Sequence, residues 1–341
     1  MKRYGLLVAA LFVGAVTVLV CMSQEAQAIP GSQTANTLKV SPVRTDIEVV
    51  AGRRKVVQAT VTNLANTPVT VTPVANDFIA GDERGTPALI LDEKQYAPTH
   101  SLKRFMSPLS PVTIGPRASK TISVVITVPS SAQAGGYFGS VRFMPTTPDS
   151  GGQVNLSPSV ASLILLKVPG AIVEELSVSH FEVRQKDDAH FYFQKPEEIS
   201  VYTRFKNEGN IQAAPVGRMQ LYKGDEIVYE VDFNAKTPSD MVLPDSARRW
   251  NIPLKNIDSF GYYKVVATFT YGEKNTTLEL NRPFLVAPLW IVLTALALPL
   301  LIVVAILVCI GILVRRRRRN GSMGRRRGRS TSKPRHRRFG R

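Results

Sequence analysis

Twenty-six residues from Leu289 to Val314 form an apolar run broken only by Thr294, Pro299, Cys309 and Gly311, and Arg315, Arg316, Arg317, Arg318 and Arg319 follow it at once. At ~1.5 Å per helical residue the run is long enough to cross a bilayer core of ~30 Å, and five consecutive cations cannot follow it through. The N-terminus carries a matching signal. Lys2 and Arg3 precede an apolar stretch from Leu6 to Val20, and Ala26-Gln27-Ala28 reads as a small-x-small cleavage site at Ala26 and Ala28. The sequence therefore predicts a signal peptide (1–28), an exported region (29–286), a membrane helix (287–314) with Trp290 near its outer end, and a cytoplasmic Arg-rich tail (315–341).

Charge places the basic excess in that tail. Residues 315–341 hold thirteen Arg, one Lys and no acid, which is +14 of the formal +17. Residues 29–314 carry 27 basic and 25 acidic side chains and are nearly neutral. This distribution fits a topogenic stop that touches anionic lipid head groups, and it argues against a nucleic-acid-binding folded region. The two cysteines fall at Cys21 and Cys309, so the exported region has no disulfide to rely on. That usage suits a prokaryotic envelope protein with its own hydrophobic core. Val20 stands before Cys21 where a lipoprotein signal needs a small residue, which favours cleavage at Ala28.

The exported region reads as strands throughout. Ile122, Val124, Ile126 and Val128 alternate with polar residues, as do Val57, Ala59 and Val61, then Ile199, Val201, Thr203 and Phe205, then Tyr263, Val265, Ala267 and Phe269. This period of two, with Gly, Pro, Asn and Asp between the runs and no helical period, predicts an all-β fold of two tandem immunoglobulin-like β-sandwich domains, 29–170 and 171–286. The boundary follows Val168-Pro169-Gly170, where an apolar strand meets a turn dipeptide. The same order of signals occurs twice. Val61-Thr62-Asn63, Gly115-Pro116 and Gly136-Tyr137 in the first half answer to Phe205-Lys206-Asn207, Leu243-Pro244 and Gly261-Tyr262 in the second.

The first half is longer. Seventy-four positions separate Asn63 from Tyr137, and fifty-five separate Asn207 from Tyr262. The surplus can lie between Asn76 and Pro111, where Phe78, Asp82, Glu83, Tyr96, Lys103, Arg104 and Phe105 interleave aromatic, acidic and basic chemistry. Inserted loops on a rigid scaffold commonly carry recognition, and these seven residues form the candidate binding segment. An ordinary long hairpin with extra edge strands accounts for the same composition.

Lys39-Val40-Ser41-Pro42, Ala51-Gly52, the Val-Thr-Asn turn, Asp82-Glu83-Arg84-Gly85, Gly115-Pro116 with Ser119-Lys120, and Ala134-Gly135-Gly136-Tyr137-Phe138-Gly139 resemble the WxL-interacting surface protein family, which is DUF916-like. The resemblance covers roughly Thr37 to Val286 and the plan of signal peptide, two immunoglobulin-like domains, one span and a basic tail. It implies a cell-surface adhesion protein whose first domain contacts peptidoglycan or a surface glycan and whose second contacts a surface or host protein. It brings no catalytic residue set.

The sequence carries no catalytic signature, so no enzyme is expected. His-Glu-x-x-His, Gly-x-Ser-x-Gly and Walker loops are absent, and His100, His180 and His190 have no metal-ligand spacing, so neither metal nor cofactor is expected. Asp77, Asp82 and Glu83 lack the ligand spacing of a calcium loop. Arg248-Arg249-Trp250 suits a core tryptophan flanked by surface cations. Two binding classes remain: a wall-binding or adhesive module, and a chaperone-like accessory subunit that accepts a partner strand on a free sheet edge. The topology has a direct test. The mature N-terminus should begin at Ile29, and protease added to intact cells should remove both exported domains while sparing an epitope placed after Arg341.

Overall fold

The computed structural model describes residues 37–146 and 158–323. The cleavage site at Ala26 and Ala28 and the tail from 324 onward lie outside the described residues. The chain forms two compact units. One contains the described residues up to Phe78, Leu89–Gln133 and Tyr137–Pro169; the other contains Ile79–Ala88, Ala134–Gly136 and the chain from Gly170.

In the first unit, β1 (Leu38–Ser41), β3 (Arg54–Asn63) and β7 (Ser119–Thr127) form an antiparallel sheet in that order. The facing sheet runs β2 (Arg44–Glu48), β9 (Val160–Val168), β8 (Gly135–Thr146), β4 (Val69–Ala80), β5 (Pro87–Leu89), with β6 (Val112–Ile114) also on β4; the strand ends that fall in Ile79–Ala88 and Ala134–Gly136 belong to the second unit. The chain changes sheets between β1 and β2, and β2 then runs parallel to β9. Alternation decides what is inside: Val57, Ala59, Val61, Val124 and Ile126 are buried against Val71, Val141, Phe143, Ile164 and Leu166.

The second unit is built the same way. One sheet runs β11 (Asp188–Ala189), β10 (Leu176–Gln185), β13 (Ile199–Asn207), β16 (Ser246–Pro253). The other runs β12 (Tyr192–Phe193), β18 (Thr276–Val286), β17 (Gly261–Tyr271), β14 (Val216–Lys223), β15 (Glu226–Phe233). Its core is aromatic. Phe233 and Phe269 have ring centroids 4.7 Å apart, Phe205 lies 5.2 Å from Phe269, and Trp250 closes the cluster at 5.3 Å from Phe233. Such tilted and edge-on ring pairs add to the stability that burial supplies.

A buried asparagine closes the same turn in both units. Asn63 is fully buried; its Nδ2 donates to the carbonyls of Thr67 and Gly115, and its Oδ1 accepts from the Ala65 N–H. Asn207, also fully buried, donates to the carbonyls of Ile211 and Val242, and its Oδ1 accepts from the Gly209 N–H. In each case the amide bonds residues two and four positions ahead and reaches the segment that opens a later strand. The repeated sequence signals thus mark one mechanical device used twice.

Helix α1 (Leu289–Met323) follows β18 after Ala287 and Pro288. Its stretch Leu289–Arg316 has a mean hydropathy of 3.2 in its most apolar window and no burial by the protein, so it is long and apolar enough to cross a membrane.

Removing either asparagine side chain strands several buried backbone groups, and each orphaned group costs about 1–3 kcal/mol. Asn63→Ala and Asn207→Ala should therefore each lower the melting temperature of the full chain. Calorimetry should show a far smaller shift for the exposed control Asn66→Ala.

Candidate strand-pairing edge

The candidate segment folds largely onto itself. Phe78 is buried edge-on to Phe138 at 5.9 Å, and Phe105 tilts against Tyr137 at 4.9 Å, so neither ring is offered to a partner. Lys103 and Arg104 both lie over the Tyr96 ring, at 4.9 and 4.7 Å. The Lys103 ammonium also donates to the carbonyls of Asp92, Glu93 and Gln95. One residue outside the chosen seven organises this loop. Asp77, fully buried, accepts from the Ala97 N–H, the Ser101 hydroxyl and the Lys103 N–H at 2.6–2.9 Å. Both of its oxygens are engaged by donors, and among the described residues no group of three or more His, Cys, Asp or Glu is placed to hold a metal.

Asp82 and Glu83 belong to the second unit. The backbone N–H of Thr86 foremost, with the Arg84 N–H and the Thr86 hydroxyl, holds the Asp82 carboxyl below its usual range. Glu83 takes the Arg204 guanidinium on both oxygens, and this bond chiefly lowers its pKa and raises that of Arg204. The Glu83 carbonyl accepts from the Arg249 N–H on the open side of β16. The seven residues therefore divide between the units. Tyr96, Lys103 and Arg104 come together in one, and Asp82 and Glu83 make turn and ion-pair contacts in the other.

What remains open is backbone. An edge strand presents unpaired N–H and C=O groups, and proteins usually blunt it with charge, proline, brevity or a bulge. β2 is five residues long and carries Arg44, Asp46 and Glu48. β15 carries Glu226, Glu230 and Asp232, bulges at Val228 in its pairing with β14, and has its Val228 carbonyl taken by the Asn256 side chain. β16 is met by Glu83 and ends at Pro253, while the free part of β18 includes Pro283.

β7 has none of these along most of its length. The hydroxyls of Thr60 and Thr121 lie 2.9 Å apart and those of Thr62 and Ser119 2.8 Å apart, the close approach of non-hydrogen-bonded pairs. Ser119, Thr121 and Ser123 therefore turn their backbone groups away from β3. Farther along, the outward Val125 carbonyl accepts from the Ser107 N–H, which closes that end. From Ser119 to Ser123 the outward groups have no backbone partner among the described residues, and the strand's one charged residue, Lys120, lies at its start.

No protein-family model matches the chain, and no curated protein matches it. Solved structures give low-scoring likenesses. A chain of a chaperone–tip adhesin complex of CFA/I fimbriae is 12% identical, with 72% of this chain and 98% of that one covered and a TM-score of 0.37. The class 5 fimbriae chaperone CfaA is 15% identical, with 74% and 100% covered and a TM-score of 0.37. A chain of the Salmonella enterica SafA pilin–SafB chaperone complex is 12% identical, with 73% and 94% covered and a TM-score of 0.32.

Hydrogen exchange reads the edge directly. In the full chain, the amides of Thr121 and Ser123 should exchange much faster than those of Ile122 and Val124, which face β3. Equal protection of all four would mean that the edge is already covered.

Proposed function

We propose that this chain is a membrane-anchored, non-catalytic accessory protein that accepts an extended segment of a surface protein along β7, outside the membrane. The open run of outward backbone groups from Ser119 to Ser123 carries this reading. Strand addition draws affinity from main-chain hydrogen bonds and specificity from alternate side chains. An added strand would set its inward residues beside the half-buried Ile122 and the buried Val124, extending the apolar face of the sandwich. Helix α1 would keep the complex at the cell surface, with the Arg cluster on the cytoplasmic side.

Binding of peptidoglycan or a surface glycan through the candidate segment has less support. Of the three rings in that segment only Tyr96 is exposed, and Lys103 and Arg104 lie over it, which leaves less aromatic face for stacking on a sugar.

Proline separates the two readings, because it is tolerated on an edge strand where its missing N–H faces solvent. In intact cells carrying the full chain, Thr121→Pro and Ser123→Pro should each reduce cross-linked recovery of the partner protein at least about two- to tenfold, the worth of one or more lost hydrogen bonds. Binding to isolated wall should not change. Unaltered protein recovery in both variants, together with loss of wall binding in Tyr96→Ala, would establish the glycan reading instead.

A further inference from the structure

Strand β18 leads into α1 through two residues, and the pairing of that strand determines what surrounds the entry point. Gly261 lies opposite Val286 and Tyr262 opposite Leu285 on β17. On the other side, Tyr192 pairs with Leu285 and Phe193 with Val286, and the Leu285 N–H donates to the Phe191 carbonyl at 2.7 Å. The Tyr192 hydroxyl donates to the Ala287 carbonyl, tying this side to the last residue before Pro288.

The side chains at this end split into two sets. Phe193, Tyr263 and Phe284 are buried core residues. Phe191, Phe260 and Tyr262 are 57%, 55% and 55% exposed, and Trp290 in the first turn of α1 is 66% exposed. Four exposed aromatics around one chain crossing are costly in water and suited to the boundary between lipid and water, where rings of this kind concentrate. This end also carries charges of both signs: Lys223, which pairs opposite Tyr263, is bound to Asp258 and Lys186 to Glu198, while Lys195, Lys255, Glu197 and Glu226 are exposed. It is therefore not a basic surface, and the exposed rings are its apolar part.

Distance confines it. Four residues from Leu285 to Leu289 span at most about 14 Å. The apolar run of α1 measures roughly 39 Å as a helix against a core of roughly 30 Å, so with Arg315 held at the far surface an upright first turn reaches the near headgroup zone.

We propose that the end of the second unit next to α1 is a lipid-contacting rim, with Phe191, Phe260 and Tyr262 at headgroup level beside Trp290 in the leaflet that α1 enters first. The occupant is the lipid surface itself, because the chain runs from this end directly into the bilayer. The rim rests on the reading that α1 spans a membrane. It gives the second unit a preferred seat on the membrane, where a flexible tether would leave it free to tumble.

The test uses the full chain with Cys21 and Cys309 replaced by Ser, in nanodiscs of zwitterionic lipid, with an environment-sensitive fluorophore on one new cysteine at a time: Phe191→Cys, Phe260→Cys, or the exposed control Val56→Cys. Fluorophores at 191 and 260 should show blue-shifted emission, strong quenching by lipids spin-labelled near the headgroup and weak quenching by iodide, with the reverse pattern at 56. If the chain is in the nanodisc and positions 191 and 260 behave like 56, the rim is refuted while the anchor stands. If the chain fails to enter nanodiscs at all, the anchor and the rim fall together.

Discussion

Two buried asparagine side chains hold the architecture together. Residues 29–286 hold no cysteine, so each sandwich must close its turns with hydrogen bonds and its interior with apolar packing. Asn63 and Asn207 each bind backbone groups two and four residues ahead and a carbonyl from a distant segment. A buried amide with all of these partners stabilises one arrangement of the chain, and one without them would be expensive to bury. The device sits where β3 and β13 end, and each of those strands pairs on both sides within its sheet. In the first unit the pairing of β3 with β7 turns the backbone groups of Ser119, Thr121 and Ser123 outward.

The core was legible in the sequence because it depends on local alternation. Val57, Ala59, Val61 and the Ile199 to Phe205 series are buried where a period of two places them, and the all-β, two-unit fold with a terminal apolar helix follows. Trp250 joins its aromatic cluster half-buried, with Arg249 exposed beside it as expected, whereas Arg248 is largely covered and paired with Asp240. The edge was not legible. Whether a strand has one neighbour or two depends on pairings between residues about sixty positions apart, and Ser119 to Thr127 reads identically in either case. Aromatic and charged residues close together in sequence left a binding loop and a plain hairpin equally open. The structure brings Tyr96, Lys103 and Arg104 together on a loop that the buried Asp77 holds from within, a contact no sequence spacing announced.

The edges also differ from one another in a way that bears on function. β2, β15, β16 and β18 each carry a recognised safeguard against pairing with another chain, whether charge, a bulge, a proline or a covering segment. An edge left bare beside several that are guarded is more readily understood as a place where pairing is wanted. Together with a rim on the membrane, it would give the protein two separate attachments, one to lipid through the second unit and one to a polypeptide through the first.

Site-specific photo-cross-linking in living cells tests the central claim most directly. A photoreactive amino acid at Ser123 of the full chain should form an adduct with a surface protein, and the same group at Glu230 on the guarded edge β15 should form none. Adducts from Glu230 or Tyr96 but not from Ser123 would contradict the claim and move the contact surface away from β7.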